Sequence, residues 1–246
     1  MSYKHAALRA VDGAIRVIPA LKRPSLYCGR ILWLSPNLWH SVYCRYETWT
    51  GRAIKENVRP GDLFWDIGAN IGFFSAFASS LGAEVTCFEP AQAIFNQLVK
   101  NCPMVKCIRC GVGKQDGSAS FFAQGLSSTG SFHRDVTAIN SSYQPKDPII
   151  AEIVCMKTID QLAKQFGAPD VVKIDVEGHE ADVLAGASRL MTNTPPIFII
   201  EIHPPQLEIS GSSAAIVYDI LHSHRYAWSE IDRREPISTI VAKPNA

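Results

Sequence analysis

The chain has no apolar run long enough to cross a bilayer. Near its start Lys4, Arg9, Asp12 and Arg16 break every candidate span, and no small-residue cleavage pattern follows, so neither a membrane span nor secretion is expected. Compositional bias is missing too. With 47% apolar and 19% charged residues, and with 16 Gly and 15 Pro dispersed, collagen-like, disordered and low-complexity classes are excluded, and no internal repeat is visible. Nor is there an even set of cysteines. Seven occur, several inside apolar strand-like runs, which suits reduced thiols and a cytoplasmic location better than a disulfide framework. Cys102, Cys107 and Cys110 are spaced like half a zinc site, but no nearby Cys or His completes it. Cys107 and Cys110 also fall in a stretch that reads as a buried strand, so no metal is expected there. A dominant charge sign is absent overall, at +1, yet residues 1–60 carry ten Lys and Arg against three acids and residues 61–246 carry fourteen against twenty. The two parts are expected to meet different partners.

What is present suffices for one full core, since a chain of 246 residues buries about 70% of its unfolded surface. Leu8, Val11, Ile15 and Ile18 follow the spacing of an amphipathic helix closed by Pro19. Its basic face is compatible with a peripheral membrane contact, although packing on the domain is the commoner role. Residues 24–50 hold Trp33, Trp39, Trp49, Tyr27, Tyr43 and Tyr46, read as short strands and loops that supply core, a sugar-stacking surface or a homodimer contact. Residues 1–58 are thus read as a helical and aromatic cap, and residues 59–246 as the main domain. From Gly61 the apolar runs Asp62–Asp66, Glu84–Phe88 and Val105–Arg109 alternate with helix-length segments Ile71–Ser80 and Ala91–Asn101, the pattern of a parallel sheet with right-handed crossovers. Residues 114–150 interrupt it as a polar insertion, read as a lid or an extra hairpin around Phe121–Phe122. The alternation resumes with a strand at Ile153–Met156, a helix from Asp160, a buried strand Val171–Asp175, a helix Ala181–Leu190, a strand Ile197–Ile202 and a helix Ser213–His224. Two closing strands follow, at Tyr226–Ser229 and Ile237–Val241.

Chemistry concentrates where strands end. Asp66-Ile67-Gly68-Ala69-Asn70-Ile71-Gly72 lies at a strand-to-helix turn, so the backbone can pass close under a nucleotide-like ligand. The dinucleotide fingerprint needs two further glycines where Asn70 and Phe73 stand, and Asp66 would repel a pyrophosphate. A cationic cofactor without phosphate, S-adenosylmethionine, removes that conflict, with Asp66 helping to hold its amino-acid end. Glu89 follows Asp66 at the spacing of a carboxylate that accepts both ribose hydroxyls, with Pro90 beside it. Gly111-Val112-Gly113 ends the third strand, where the adenine edge would lie. The strand Val171-Val172-Lys173-Ile174-Asp175 runs into Val176-Glu177-Gly178-His179-Glu180 and crowds acids at the same edge.

DIGANIG, FEP, Thr158-Ile159-Asp160, KIDVEGHE, Val183-Leu184-Ala185-Gly186 and Ile200-Glu201-Ile202-His203 together resemble the FkbM-type family of S-adenosylmethionine-dependent methyltransferases, over roughly residues 50–205. The short run Ser127-Ser128-Thr129-Gly130-Ser131 extends the likeness into the insertion. The resemblance implies an α/β Rossmann-like class I fold: a seven-stranded, mostly parallel sheet with an antiparallel last strand and helices on both faces. It also implies methyl transfer, commonly to a hydroxyl of a sugar, glycan or natural product, and cofactor contacts at Asp66, Gly68, Asn70, Gly72 and Glu89, with Ala69 in the same turn.

A hydroxyl nucleophile has to lose its proton near the transition state, and the candidate bases are Asp175, Glu177 and His203, the last because its ordinary pKa is near 6.5. Asp175, Glu177, Glu201 and His203 together also form a set able to hold a divalent ion, but no spacing requires one and none is expected. The expected partner is a small-molecule or glycan acceptor. A nucleic acid is not expected, because the fourth strand lacks the Asn/Asp-Pro-Pro-aromatic tetrad and residues 61–246 carry a net −6. The alternatives are a cofactor-binding but inactive interaction module and, disfavoured by the glycine spacing, a nicotinamide-dependent dehydrogenase.

Overall fold

The computed structural model describes residues 23–35, 38, 47–124, 130–141 and 148–245. These residues fall into two compact units that divide after Thr48. The expected helix at Leu8–Ile18, the aromatic residues Trp39, Tyr43 and Tyr46, and Ser127–Thr129 lie outside the described residues. In the first unit β1 (Arg23–Tyr27) and β2 (Arg30–Leu34) form an antiparallel hairpin. Its alternation splits the aromatics between faces: Tyr27 is buried, its hydroxyl donating to the carbonyl of Glu47, while Trp33 is exposed.

A helix absent from the sequence expectation, α1 (Thr48–Asn57), starts at the division, and the second unit continues as β3 (Leu63–Ile67), α2 (Phe73–Ser80), β4 (Glu84–Phe88), α3 (Gln92–Asn101) and β5 (Lys106–Ile108). After an intervening sheet come α5 (Ile159–Phe166), β9 (Val171–Ile174), α6 (Glu180–Ala185), α7 (Ser188–Asn193), β10 (Ile197–Ile202), α8 (Pro204–Ile209), α9 (Ala214–Ser223), β11 (Tyr226–Arg234) and β12 (Ile237–Pro244). The main sheet is seven-stranded, in the order β11-β12-β10-β9-β3-β4-β5, and only β12 runs against its neighbours. The fold expected from the resemblance is therefore the one found. β3, β4, β9 and β10 read as continuous apolar runs because helices cover both faces, and Trp65, Phe64, Phe88 and Phe198 are fully buried there. Each such side chain contributes about 1.5–3 kcal/mol. Between β3 and β9 the connections leave in opposite directions, which opens a crevice beyond the carboxyl ends of these two strands.

Three expectations need correction. The third strand is shorter than Val105–Arg109 and is an exposed edge rather than buried, so Gly111-Val112 does not end it. Instead β6 (Gly111–Val112) joins β7 (Gly117–Gln124) and β8 (Ile149–Lys157) in a separate three-stranded sheet, with α4 (Arg134–Ser141) between β7 and β8. The strand at Ile153–Met156 belongs to β8 and pairs antiparallel with β7, outside the main sheet. The expected helix Ala181–Leu190 is two helices. Gly186 lies so close to the carbonyl of Gly113 that a Cβ would collide with it, and Asp160 accepts the amides of Arg189 and Leu190 at 3.0 and 2.9 Å, starting a new helix. Elsewhere the helix starts follow their caps: Thr158 accepts from the amide of Gln161 and Ser213 from that of Ile216.

Candidate active site

β3 ends at Asp66-Ile67 and turns into α2 through Gly68, at φ 74°, and Asn70, at φ 52°. The amides of Gly68 and Ala69 both donate to the carbonyl of Phe88, which binds the turn to the tip of β4. The next residue, Glu89, completes the tie: one carboxylate oxygen accepts from the amide of Asn70 at 3.0 Å and the other from that of Ala91 at 2.9 Å. Burial pushes the Glu89 carboxyl up to about 7 against the opposing effect of these two amides. Pro90 is buried beside it, its carbonyl accepting from Arg109. The hydrogen at Gly68 that a Cβ would replace faces the carbonyl of Asp175, so this glycine is required for the approach of β3 to β9. Gly72 serves packing as well. A Cβ there would lie 2.6 Å from Leu98 and from the Cys102 sulfur, so the side without a Cβ packs against α3 and the residue that follows it. Gly111 and Val112 likewise pack inward, Gly111 against Phe132 and Met156, and Val112 in the core.

Asp66 has no exposed surface. It accepts from the Ser75 hydroxyl at 2.7 Å and faces the ammonium of Lys173 at 3.3 Å. Lys173, itself buried, also lies 3.3 Å from Asp175, donates to the carbonyl of Gly68 at 3.5 Å and sits over the ring of Phe74. Asp66 thus lies buried beneath the glycine turn, held by Lys173 and Ser75. No role for Lys173 was visible in the sequence, where a lone cation in an apolar run reads as an interruption.

The far wall is built by the tips of β9 and β10. Asp175 and Glu177 are partly exposed, and the chain reverses through Glu177 at φ 50° and Gly178 at φ 90°. His203, 2% exposed, places Nδ1 2.7 Å from a carboxylate oxygen of Glu180, which also accepts from the amide of Gly178. Its Nε2 lies 3.6 Å from Glu201, 3.8 Å from Glu177 and 4.0 Å from Asp175. Burial pulls the imidazole down, but the bond to Glu180 and the charges of Glu180, Glu177 and Asp175 push it up to about 10. A pKa pushed that far up favours the doubly protonated ring at neutral pH, a form that donates through both nitrogens. Burial works to raise Asp175, and Lys173, His203 and Arg234 overcome it, holding the carboxyl below its ordinary range. Arg234 also donates to Glu201 and Asp232, both at 2.9 Å, and stacks over Trp49. A crevice with a glycine turn on one side and ionised carboxylates on the other suits a ligand that is nucleoside-like at one end and cationic at the other.

The sequence profile of the methyltransferase FkbM domain matches residues 66–227. The hexuronic acid methyltransferase AglP of Haloferax volcanii is 30% identical over 200 residues, covering 78% of this chain and 77% of AglP. The 31-O-demethyl-FK506 methyltransferase FkbM of Streptomyces tacrolimicus is 31% identical over 198 residues, covering 69% of this chain and 74% of the relative. Among solved structures, methyltransferase FkbM from Methylobacillus flagellatus aligns at a TM-score of 0.52 and 16% identity, over 85% of this chain and 54% of that one, a likeness of fold.

Proposed function

The chain belongs to the FkbM family of S-adenosylmethionine-dependent methyltransferases, and on that premise we propose that it methylates a hydroxyl of a sugar, glycan or natural product. The observation that carries this reading is the crevice itself: the Gly68–Asn70 turn tied to Glu89 faces the tips of β9 and β10, where Asp175 and Glu177 are both partly open. The two relatives support the acceptor class, one being named for a hexuronic acid and the other for 31-O-demethyl-FK506. When bound, S-adenosylmethionine supplies an electrophilic methyl on a sulfonium and leaves without that charge. Glu89 and the backbone of Gly68, Ala69 and Asn70 are the residues that would hold its nucleoside part. Because His203 already holds its protons, Asp175 and Glu177 are the groups placed to take the acceptor's proton. Incubating the protein with methyl-labelled S-adenosylmethionine and a panel of hexuronic acid glycosides, neutral glycosides and hydroxylated macrolides tests the reading. Label should enter an alkali-stable ether of one class; label in none of them, with cofactor bound, would favour an inactive interaction module.

The state of Glu89 gives this reading a pH signature. Its oxygens can accept ribose hydroxyls fully only as a carboxylate, and the acid is held at about 7. Affinity for S-adenosylmethionine is expected to be flat above about pH 8 and to weaken below about pH 7, approaching tenfold per pH unit. Glu89→Gln should bind more weakly and lose that slope. Calorimetric titration across this range checks it, and a flat profile in the native protein would remove Glu89 from cofactor binding.

A further inference from the structure

We propose that the tips of β9 and β10 form a divalent-cation site with Asp175 Oδ1, Glu177 Oε2 and His203 Nε2 as its protein ligands. The three donor atoms all lie within 4.8 Å of one another. Atoms that share one ion at about 2.0–2.2 Å stand about 3–4 Å apart, beyond hydrogen-bond distance of each other. The two distances from the histidine fall at the upper end of that range, His203 Nε2 being 3.8 Å from Glu177 and 4.0 Å from Asp175.

Acidic side chains at a crevice are common without an ion, so the argument depends on the histidine. His203 is buried to 2% exposure, yet its two nitrogens are treated differently. Nδ1 makes a hydrogen bond of 2.7 Å to the fully buried Glu180. Nε2 makes none, although three carboxylates surround it at 3.6–4.0 Å. A ring placed there only to neutralise carboxylates would close on one of them, as Nδ1 does. Fixing the far nitrogen on a carboxylate and leaving the near one directed at a common point is how proteins orient histidine toward a metal. Glu180, held in turn by the amide of Gly178, then has the orienting role, and binding replaces the Nε2 proton by the cation. Lys173 faces the other oxygen of Asp175, and Arg234 donates to the Glu201 oxygen that lies 3.6 Å from Nε2.

Two carboxylates and one imidazole are a donor set for a hard or borderline divalent ion of the Mg2+ or Mn2+ kind. Three protein ligands leave coordination positions toward the crevice for an acceptor. Vicinal oxygens of a sugar, or a hydroxyl beside a carboxylate, would chelate the ion there, and a coordinated hydroxyl would give its proton to Glu177 more readily than in water. As a place for the acceptor's oxygen the site rests on the methyl-transfer reading, whereas as a cation site it does not.

The test is Mn2+ binding to the full chain after treatment with a chelator, followed by electron paramagnetic resonance with no cofactor or acceptor present. Saturable binding at one ion per chain, competed by Mg2+, is expected. Asp175→Asn and Glu177→Gln, whose side chains are partly exposed and tolerate an amide, should each weaken it more than about tenfold. Glu84→Gln, at the opposite end of the sheet, should not. Absence of saturable binding, or binding indifferent to both crevice variants, would overturn the site. Titration of S-adenosylmethionine into the same samples separates the two readings. If the cofactor binds and Mn2+ does not, the cation site falls and methyl transfer stands. If Mn2+ binds through Asp175 and Glu177 while the cofactor does not, the cation site stands and the methyl-transfer reading falls.

Discussion

Lys173→Met should cost about 3–5 kcal/mol of stability, the usual loss when one partner of a buried ion pair is removed. Met fills a similar volume, so the loss would not be one of packing. It would come from Asp66, which has no exposed surface and whose Oδ1 has the Lys173 ammonium as its ionic partner and no hydrogen bond. Asp175 would lose its nearer cation in the same step, and the carbonyl of Gly68 its donor. For a chain of this size the loss corresponds to a melting temperature lower by roughly 6–20 °C. Adding Asp66→Asn to the variant should recover part of it, because the uncompensated buried charge is then gone. That coupling, measured by urea unfolding of the two single variants and the double, is the readout. If the two effects simply add, Lys173 is not the counter-ion of Asp66. The same geometry means that Asp66→Ala is a stability variant as much as a binding one, since it strands Lys173 with fewer partners.

Gly68→Ala is expected to be the second severe change. The new methyl would run into the carbonyl of Asp175, which is main chain directly after the neighbouring strand and cannot swing aside as a side chain would, and the residue would also have to hold φ at 74°. The backbone strain is about 1–2 kcal/mol and the overpacking about 1–3 kcal/mol more. Gly61→Ala separates the two, because Gly61 has φ 89° but nothing within 4 Å of a Cβ. It should lose only the backbone part. Unfolding midpoints give the stability difference, and calorimetry gives the second consequence: Gly68→Ala should lose cofactor affinity while Gly61→Ala keeps it. Equal behaviour of the two variants would show that the contact between the turn and β9 is not what the glycine serves.

Much of this arrangement can be read along the chain because it is local. Leu63–Ile67, Glu84–Phe88, Val171–Ile174 and Ile197–Ile202 are strands sealed by helices on both faces, so burial writes itself as an unbroken apolar run, and the turn at Gly68 is marked by its own glycine and by the Asp66 before it. Acids at strand tips were legible for the same reason. Edges and breaks were not: β5 is apolar enough to look central, β8 has the length of a main-sheet strand, and the division of α6 from α7 depends on the carbonyl of Gly113, far away in sequence.

The sequence by itself determined the central strands of the main sheet, the turn that opens the crevice and the carboxylates that line it, since each depends on burial period or turn chemistry within a few residues. Only the tertiary structure decided what those groups do. Lys173 becomes the counter-ion of Asp66 across 107 residues of chain, and Glu180 grips His203 across 23 and leaves its outer nitrogen aimed at Asp175 and Glu177. Charge state and ligand geometry depend on which groups meet within a few ångströms in a low-dielectric interior, and that meeting is made by the packing of β3, β9 and β10 side by side.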